Sequence, residues 1–173
     1  MLFLHMAIVG CEADDRGIVH KPVAKELDVQ ASVASPAEAP TDVVFVCQHG
    51  YAKSLVSSRH FERMAEQRGI PVRVVARGIT PADSVPGRLV DALGVDGFDV
   101  KSYRPQALGM EDLADAEYVV SFGNYVPESP NASRLDWDDV SALSEDYPRA
   151  RNEIVDHLNE LLDEIETRRA SSE

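Results

Sequence analysis

An uninterrupted apolar run, residues 43–46 (VVFV), constrains the fold more than any other feature of the sequence. A strand with apolar side chains on both faces lies inside a sheet that helices cover on each side. A helical pattern follows at residues 53–68, and further β-rich runs lie at residues 72–76 and 118–122. Because strands that alternate with helices pair in parallel through right-handed crossovers, the sequence predicts an α/β fold.

Three more helical patterns follow, at residues 89–93, 110–116 and 147–168. The last of them has apolar residues spaced three and four apart, which is typical of a helix that packs one face on a core. We therefore expect a three-layer sandwich, α/β in class, with a parallel sheet of about four strands. Only three of these strands can be located from the sequence.

Composition excludes several classes of partner. The 173 residues carry a net charge of −13, which opposes electrostatic binding to nucleic acid or to an anionic membrane surface. No apolar run approaches the roughly 18 residues that a membrane span needs. The two cysteines, Cys11 and Cys47, form no CxxC pattern, and the histidines show no ligand spacing. We therefore expect neither a metal ion nor a cofactor.

The N-terminal part of the chain reads differently from the rest. Residues 1–41 predict a terminal segment and an Ala/Ser/Pro-rich linker, residues 42–168 a domain, and residues 169–173 a C-terminal tail. The sequence Ile8-Val-Gly-Cys11 resembles a bacterial lipoprotein box. Lipidation at Cys11 would place the domain at the cell envelope; the alternative is an unmodified N-terminus with an incidental cysteine.

The turn after the first strand carries the chemistry. Cys47 begins this turn and Lys53 closes it, with five residues between them, at the start of a helix. Ligands of parallel sheets bind at the carboxyl ends of strands, beside helix N-termini whose free N–H groups and dipole favour an anion. A loop of this length can wrap its amides around a tetrahedral oxyanion. The same field favours the thiolate form of Cys47, a nucleophile.

Two further residues fit this interpretation of the loop. Gly50 would allow a positive φ within the turn, and the Ser54 hydroxyl is placed to donate to a thiolate. The alternative is that Cys47 is a buried structural cysteine at the end of a strand.

The pattern Cys-x5-basic-Ser after an apolar strand resembles the low-molecular-weight protein tyrosine phosphatase family and its arsenate-reductase relatives. The resemblance covers roughly residues 42–165. Besides the loop, it rests on Arg77-Gly78, residues 98–105 and the strand within residues 116–123. It implies a four-stranded parallel sheet, a cytoplasmic location, and hydrolysis of phosphomonoesters through a phosphocysteine intermediate.

The resemblance also implies roles for individual residues. Cys47 would be the nucleophile, assisted by Ser54, while Lys53 would stand where the family has arginine. The phosphate-binding loop would comprise Gln48, His49, Gly50, Tyr51, Ala52 and Lys53. The general acid would come from residues 136–140 (DWDDV), where Asp139 precedes the position of the family's proline and Asp138 is the alternative.

Three departures keep other functions open. Lysine offers a point charge where arginine forks across two oxygens, Asp139 is followed by Val140 instead of proline, and the domain contains no cysteine besides Cys47. The leading hypothesis is a phosphatase acting on protein phosphotyrosine or a small phosphomonoester. The alternatives are a catalytically impaired relative that binds phosphate or phosphoprotein, and an arsenate reductase that uses an external thiol.

Overall fold

The computed structural model describes residues 39–124 and 126–171. The suggested lipoprotein box at Cys11 lies outside this part of the chain. The elements are β1 (Thr41–Cys47), α1 (Lys53–Arg68), β2 (Val72–Gly78), α2 (Gly87–Val95), α3 (Met110–Ala114), β3 (Tyr118–Ser121), β4 (Ser133–Asp136) and α4 (Tyr147–Ala170).

The strands form one parallel sheet in the order β2-β1-β3-β4, which confirms the predicted four-stranded sheet. The first strand is central, and its side chains alternate between two cores. Val43 and Phe45 point into one core, whereas Val44 and Val46 point into the other. Both faces of β1 are therefore buried, as the apolar run requires.

Helices cover the sheet unequally. The larger core contains apolar residues of α1, α2 and α4, among them Phe61, Leu93 and Leu158, each fully buried. The smaller core is closed by α3 through Leu113, together with Val126. The result is a three-layer sandwich in which one outer layer consists of a single short helix and the segments beside it.

The parallel register brings the carboxyl ends of the strands to one edge. Cys47 lies opposite Gly78 of β2, and Val46 lies opposite Ser121 of β3. Ser121 in turn lies opposite Asp136, the last residue of β4. The segments that follow β1, β2 and β4 therefore begin on the same side of the molecule. Within the described residues, no helix combines the length and apolar character that crossing a membrane requires.

Candidate active site

Cys47 ends β1 and is buried, with 5% of its surface exposed. Its Sγ atom lies 3.0 Å from the Oγ atom of Ser54, in the first turn of α1. Ser54 is itself fully buried. A hydroxyl at this distance can donate to the sulfur once the thiol has lost its proton, and it stabilises the thiolate.

The turn from Cys47 to Lys53, called here the cysteine loop, packs directly on the end of β2. Gly50 has φ 68°, a left-handed conformation that favours glycine. A Cβ atom on Gly78 would lie 2.7 Å from the Gly50 nitrogen, and one on Gly50 would lie 2.9 Å from the Gly78 nitrogen. This close approach of two backbones requires glycine at both positions.

The carbonyl groups of the cysteine loop point outward. Those of residues 47, 48 and 49 accept from the backbone N–H groups of Ile79 (3.1 Å), Thr80 (2.8 Å) and Ala82 (3.2 Å). The Tyr103 hydroxyl lies 3.1 Å from the Gly50 carbonyl and 3.2 Å from the Ala76 carbonyl of β2. Four consecutive carbonyls are thus held by groups outside the loop.

The N–H groups of the next residues must point the opposite way, because C=O and N–H are antiparallel across a trans peptide. These are the amides of residues 48–51, and none of them donates to a backbone carbonyl in the described part of the chain. Amides that point to one side of a loop, beside a helix N-terminus, can bind an anion. Cys47 begins this loop.

Side chains of the loop lie toward its outer side. Gln48 Nε2 donates to Thr80 Oγ1 (3.2 Å), and His49 Nδ1 lies 3.2 Å from the Thr80 carbonyl. The His49 ring stacks on Tyr51, with centroids 5.8 Å apart. The side chains of Gln48 and His49 therefore fix the loop's shape, and Tyr51 and Ala52 are half-buried beside a cavity.

Tyr103 stays a proton donor under neutral conditions. Burial raises the pKa of its phenol, and the nearby Cys47 adds to this effect, while Arg77 and Arg59 oppose it. A neutral phenol can donate to the Gly50 carbonyl throughout the physiological pH range. Tyr103 therefore connects the cysteine loop to β2 through its hydroxyl, which lies near a carbonyl of each.

Lys53 connects the cysteine loop to the segment after β4. Its Nζ atom donates to the Val140 carbonyl at 2.5 Å and lies 5.9 Å from the centre of the Phe122 ring. An ammonium has three donors, so two remain for a ligand after this contact. Lys53 can therefore donate to an anion and to the Val140 carbonyl at the same time. Unlike the guanidinium of an arginine, it cannot make two parallel hydrogen bonds to that anion.

Residues 137–141, called here the acidic loop, rest on α4. Trp137 is buried, and the Asp139 carboxylate is exposed but has both oxygens 3.1 Å from His157 Nε2. Ser141 donates to the Glu153 carboxylate through both its N–H and its hydroxyl. This segment is the one in which the sequence predicts a general acid.

The alternative acid, Asp138, occupies a different position. Its side chain is exposed, and its Cβ atom would lie 3.6 Å from a Cβ built on Gly123, which follows β3. Asp138 therefore lies beside the strand end next to β1, while the Asp139 carboxylate contacts α4. The structure brings Cys47 and Ser54 together and places the Lys53 side chain against the acidic loop. Among the described residues, no contact joins Asp138 or Asp139 to Cys47.

A cavity of about 500 Å³ opens beside the cysteine loop. Its walls combine Tyr51 and Lys53 of the loop, Leu89 of α2, Leu143 of the segment before α4, and Tyr147, the first residue of α4. This mixture of aromatic and aliphatic surface beside the cysteine loop suits the organic part of a ligand.

Sequence reasoning did not assign roles to Gly78, Tyr103 or His157. Gly78 stood within the quoted Arg77-Gly78 pair, and its position directly after a β-rich run was a usable signal for a close backbone approach. Nothing local marks Tyr103 or His157, because their partners lie 53 and 18 residues away along the chain.

Comparisons with known proteins bear on the family and the fold. The family model described as "Low molecular weight phosphotyrosine protein phosphatase" matches residues 42–170. The "Putative arsenate reductase" of Halobacterium salinarum is 28% identical over 138 residues, covering 76% of this chain and 90% of that protein.

Two solved structures share the fold. A thioredoxin-dependent arsenate reductase from Corynebacterium glutamicum aligns with a TM-score of 0.61 at 23% identity, over 76% of this chain and 64% of that one. A low-molecular-weight protein tyrosine phosphatase from T. tengcongensis aligns with a TM-score of 0.60 at 18% identity, over 72% of this chain and 99% of that one. Structural neighbours thus include both phosphatases and arsenate reductases, which are cysteine-dependent enzymes. From its family match and its parallel sheet, the chain belongs to the low-molecular-weight phosphotyrosine protein phosphatase family.

Proposed function

We propose that this protein hydrolyses phosphomonoesters through a phosphocysteine intermediate. The observation that carries the proposal concerns the amides of residues 48–51, in the loop that begins at Cys47: among the described residues, no backbone carbonyl accepts from them. These amides would hold three phosphoryl oxygens, with the sulfur in line with the leaving group. Ser54, 3.0 Å from the sulfur, would donate a hydrogen bond to the thiolate nucleophile.

In the first step the Cys47 sulfur attacks phosphorus, forming an S–P bond while the bond from phosphorus to the leaving oxygen breaks. Asp139 gives its proton to that oxygen. In the second step water attacks phosphorus, Asp139 accepts the water proton, the S–P bond breaks, and the thiolate returns. Lys53 adds positive charge beside the transferred group.

Hydrolysis of an aryl phosphate by the parent enzyme and by Cys47→Ser tests this proposal. We expect hydrolysis only in the parent, and a covalent phosphoryl adduct on the Cys47 peptide after acid quenching. Inorganic phosphate should inhibit the parent competitively and should still bind Cys47→Ser, since the amides are unchanged. Equal hydrolysis by both proteins would refute the role of Cys47.

The choice between Asp139 and Asp138 as general acid needs paired variants. We propose Asp139, which immediately precedes the residue in the proline position; Asp138 lies closer to the end of β3. Asp139→Asn should slow poor leaving groups far more than activated aryl phosphates. A greater loss in Asp138→Asn would transfer the role to Asp138.

We propose protein phosphotyrosine as the substrate class, because the cavity beside the loop offers Tyr51, Leu89 and Leu143 to an aromatic ring. A phosphotyrosine peptide should be hydrolysed with a higher kcat/KM than the same peptide carrying phosphoserine. Leu89→Ala should lower kcat/KM for the phosphotyrosine peptide more than for a small alkyl phosphate.

Arsenate reduction is the second candidate, favoured by the 28% identity to the Halobacterium protein. Cys47 would bond to arsenic with loss of water, and an external thiol would then attack the sulfur and release arsenite. A second thiol would resolve the mixed disulfide. Arsenite formation that requires both Cys47 and an added thiol, without aryl phosphate hydrolysis, would favour this function. Phosphate binding without either reaction would indicate the impaired relative.

A further inference from the structure

Two acidic-loop residues are held by side chains of α4 that lie one turn apart. Glu153 accepts from the Ser141 N–H at 2.6 Å and from its hydroxyl at 3.0 Å. His157 places Nε2 3.1 Å from both oxygens of Asp139. The helix therefore fixes the loop on either side of Val140, whose carbonyl accepts a hydrogen bond from Lys53.

The orientation of the His157 ring is itself fixed. The ring stacks on Trp137 with centroids 4.8 Å apart and planes 12° from parallel. Trp137 is 6% exposed and packs against Phe45 and Phe122 of the main core. Trp137 and Asp139 belong to the same short loop. The imidazole therefore contacts this loop twice: its ring face stacks on Trp137, and its Nε2 atom contacts Asp139.

The chemistry of the partners sets the proton on Nε2. An ionised carboxylate only accepts hydrogen bonds, so Nε2 must be the donor in this contact. The charged groups around the ring are Asp139 on the acidic loop, Glu160 at 3.9 Å from Nδ1 on α4, and Glu153 one turn earlier. Lys53 lies across the loop, bound to Val140.

We propose that His157 is a positioning residue that fixes the direction of the Asp139 carboxylate. This inference rests on the proposed function, in which Asp139 transfers a proton. A carboxyl group held in one direction can give its proton to the leaving oxygen in the first step and take one from water in the second.

The dependence of kcat on the leaving group tests the proposal, because a general acid held in the wrong direction slows poor leaving groups far more than activated ones. In His157→Ala, kcat for a poor leaving group should fall roughly tenfold more than kcat for an activated aryl phosphate. His157→Gln retains an N–H donor and should restore part of this loss. Asp156→Asn, a control at an exposed position of the same helix, should leave both rates unchanged.

An equal fall of kcat for both substrates would overturn the proposal, because the ring would then serve packing alone. A second readout does not need turnover. At a fixed pH, the NMR signals of the His157 ring should change in Asp139→Asn and stay unchanged in Asp138→Asn. Equal ring signals in all three proteins would also overturn it. A parent enzyme without Cys47-dependent hydrolysis would instead refute the proposed function, and the NMR comparison would still decide the pairing.

Discussion

Lys53 is the residue at which this chain departs most clearly from the family's pattern, and its ammonium already donates to Val140. Ground-state phosphate binding should depend mainly on the loop amides, which Lys53→Arg leaves unchanged. A guanidinium would add a second parallel hydrogen bond to the transferring group. One charge-assisted hydrogen bond of about 1.5–3 kcal/mol corresponds to a rate factor of roughly 10 to 100.

We therefore expect Lys53→Arg to raise kcat on aryl phosphates while changing phosphate inhibition little, and Lys53→Ala to weaken both. Steady-state kinetics with phosphate as inhibitor measures the two effects. If Lys53→Arg lowers kcat in a folded protein that still binds phosphate, lysine is the adapted residue at this position.

Gly78 sets how close the cysteine loop lies to β2. Gly78→Ala would place a Cβ atom 2.8 Å from the His49 carbonyl carbon and 2.7 Å from the Gly50 nitrogen. Both are backbone atoms, so the loop must shift and its amides must lose their alignment. We expect phosphate inhibition and aryl phosphate hydrolysis to fall together, by at least tenfold.

Gly94→Ala is the matched control, because a Cβ atom on Gly94 in α2 would meet nothing within 4 Å. Alanine inside a helix is favoured over glycine by about 0.5–1 kcal/mol, so this variant should be slightly more stable and fully active. Comparable losses in both variants would show that the Gly78 contact is not specific to the loop.

At the scale of the elements, Tyr103 joins the segment before α3 to both β2 and the cysteine loop. Tyr103→Phe removes the hydroxyl that donates to the Gly50 carbonyl, a loss of about 1–3 kcal/mol for a buried acceptor. The Ala76 carbonyl keeps Arg77 as a donor at 3.2 Å. We expect a lower midpoint of thermal unfolding together with weaker phosphate inhibition. Calorimetry and inhibition constants measure the two.

Tyr118→Phe provides the comparison, since that hydroxyl contacts Glu164 on α4, away from the loop. Burial, followed by Glu164, raises the pKa of Tyr118 to about 12, so it too remains protonated. Phosphate inhibition should be unchanged in Tyr118→Phe. An equal weakening in both variants would argue against a specific role for Tyr103.

Local patterns predicted most of the elements and the cysteine loop, because each depends on residues close together in sequence. The helix at residues 53–68 was predicted with its observed bounds, and residues 43–46 lie inside β1. The position of β4 was not predicted, since Ser133–Asp136 is short, polar at three positions and only half-buried on alternate residues. The contacts of His157 with Trp137 and Asp139 form only when α4 packs on the acidic loop, so no local sequence pattern predicts them.

At the scale of the whole molecule, Asp96 joins three helices at the end of α2. Its carboxylate accepts from Tyr147 (2.6 Å) and Arg151 (2.8 Å) of α4, and His60 Nε2 of α1 lies 3.4 Å away. Burial raises the pKa of Asp96, but the hydrogen bonds from Tyr147 and Arg151 outweigh it and leave the pKa lowered. Burial lowers the pKa of His60 despite Asp96.

Acid should therefore destabilise the fold in two stages. His60 binds a proton more readily in the unfolded chain, so stability is complete above the ordinary value of 6.5 and falls as the pH drops from there toward the lowered folded value. Asp96, whose folded pKa is below 3.8, contributes stability that is lost as the pH falls from 3.8 through the folded value. Urea unfolding across this range measures both stages.

His60→Phe separates the first stage from the second. Phenylalanine can keep the edge-to-face contact with Phe98 but cannot bind a proton. The free energy of unfolding should then vary less between about pH 7 and 5, while the loss at lower pH persists. If the free energy of unfolding of His60→Phe varied with pH between about 7 and 5 as much as that of the parent, groups other than His60 would cause the first stage.

The outward carbonyls of residues 47–50 also bear on stability. They turn the N–H dipoles of residues 48–51 to the same side of the loop, and like-oriented dipoles repel. A bound oxyanion would offset this repulsion in the native state and would find no such set of dipoles in the unfolded chain. Under the proposed function, inorganic phosphate at one hundred times its dissociation constant would therefore stabilise the native state by about 2.7 kcal/mol.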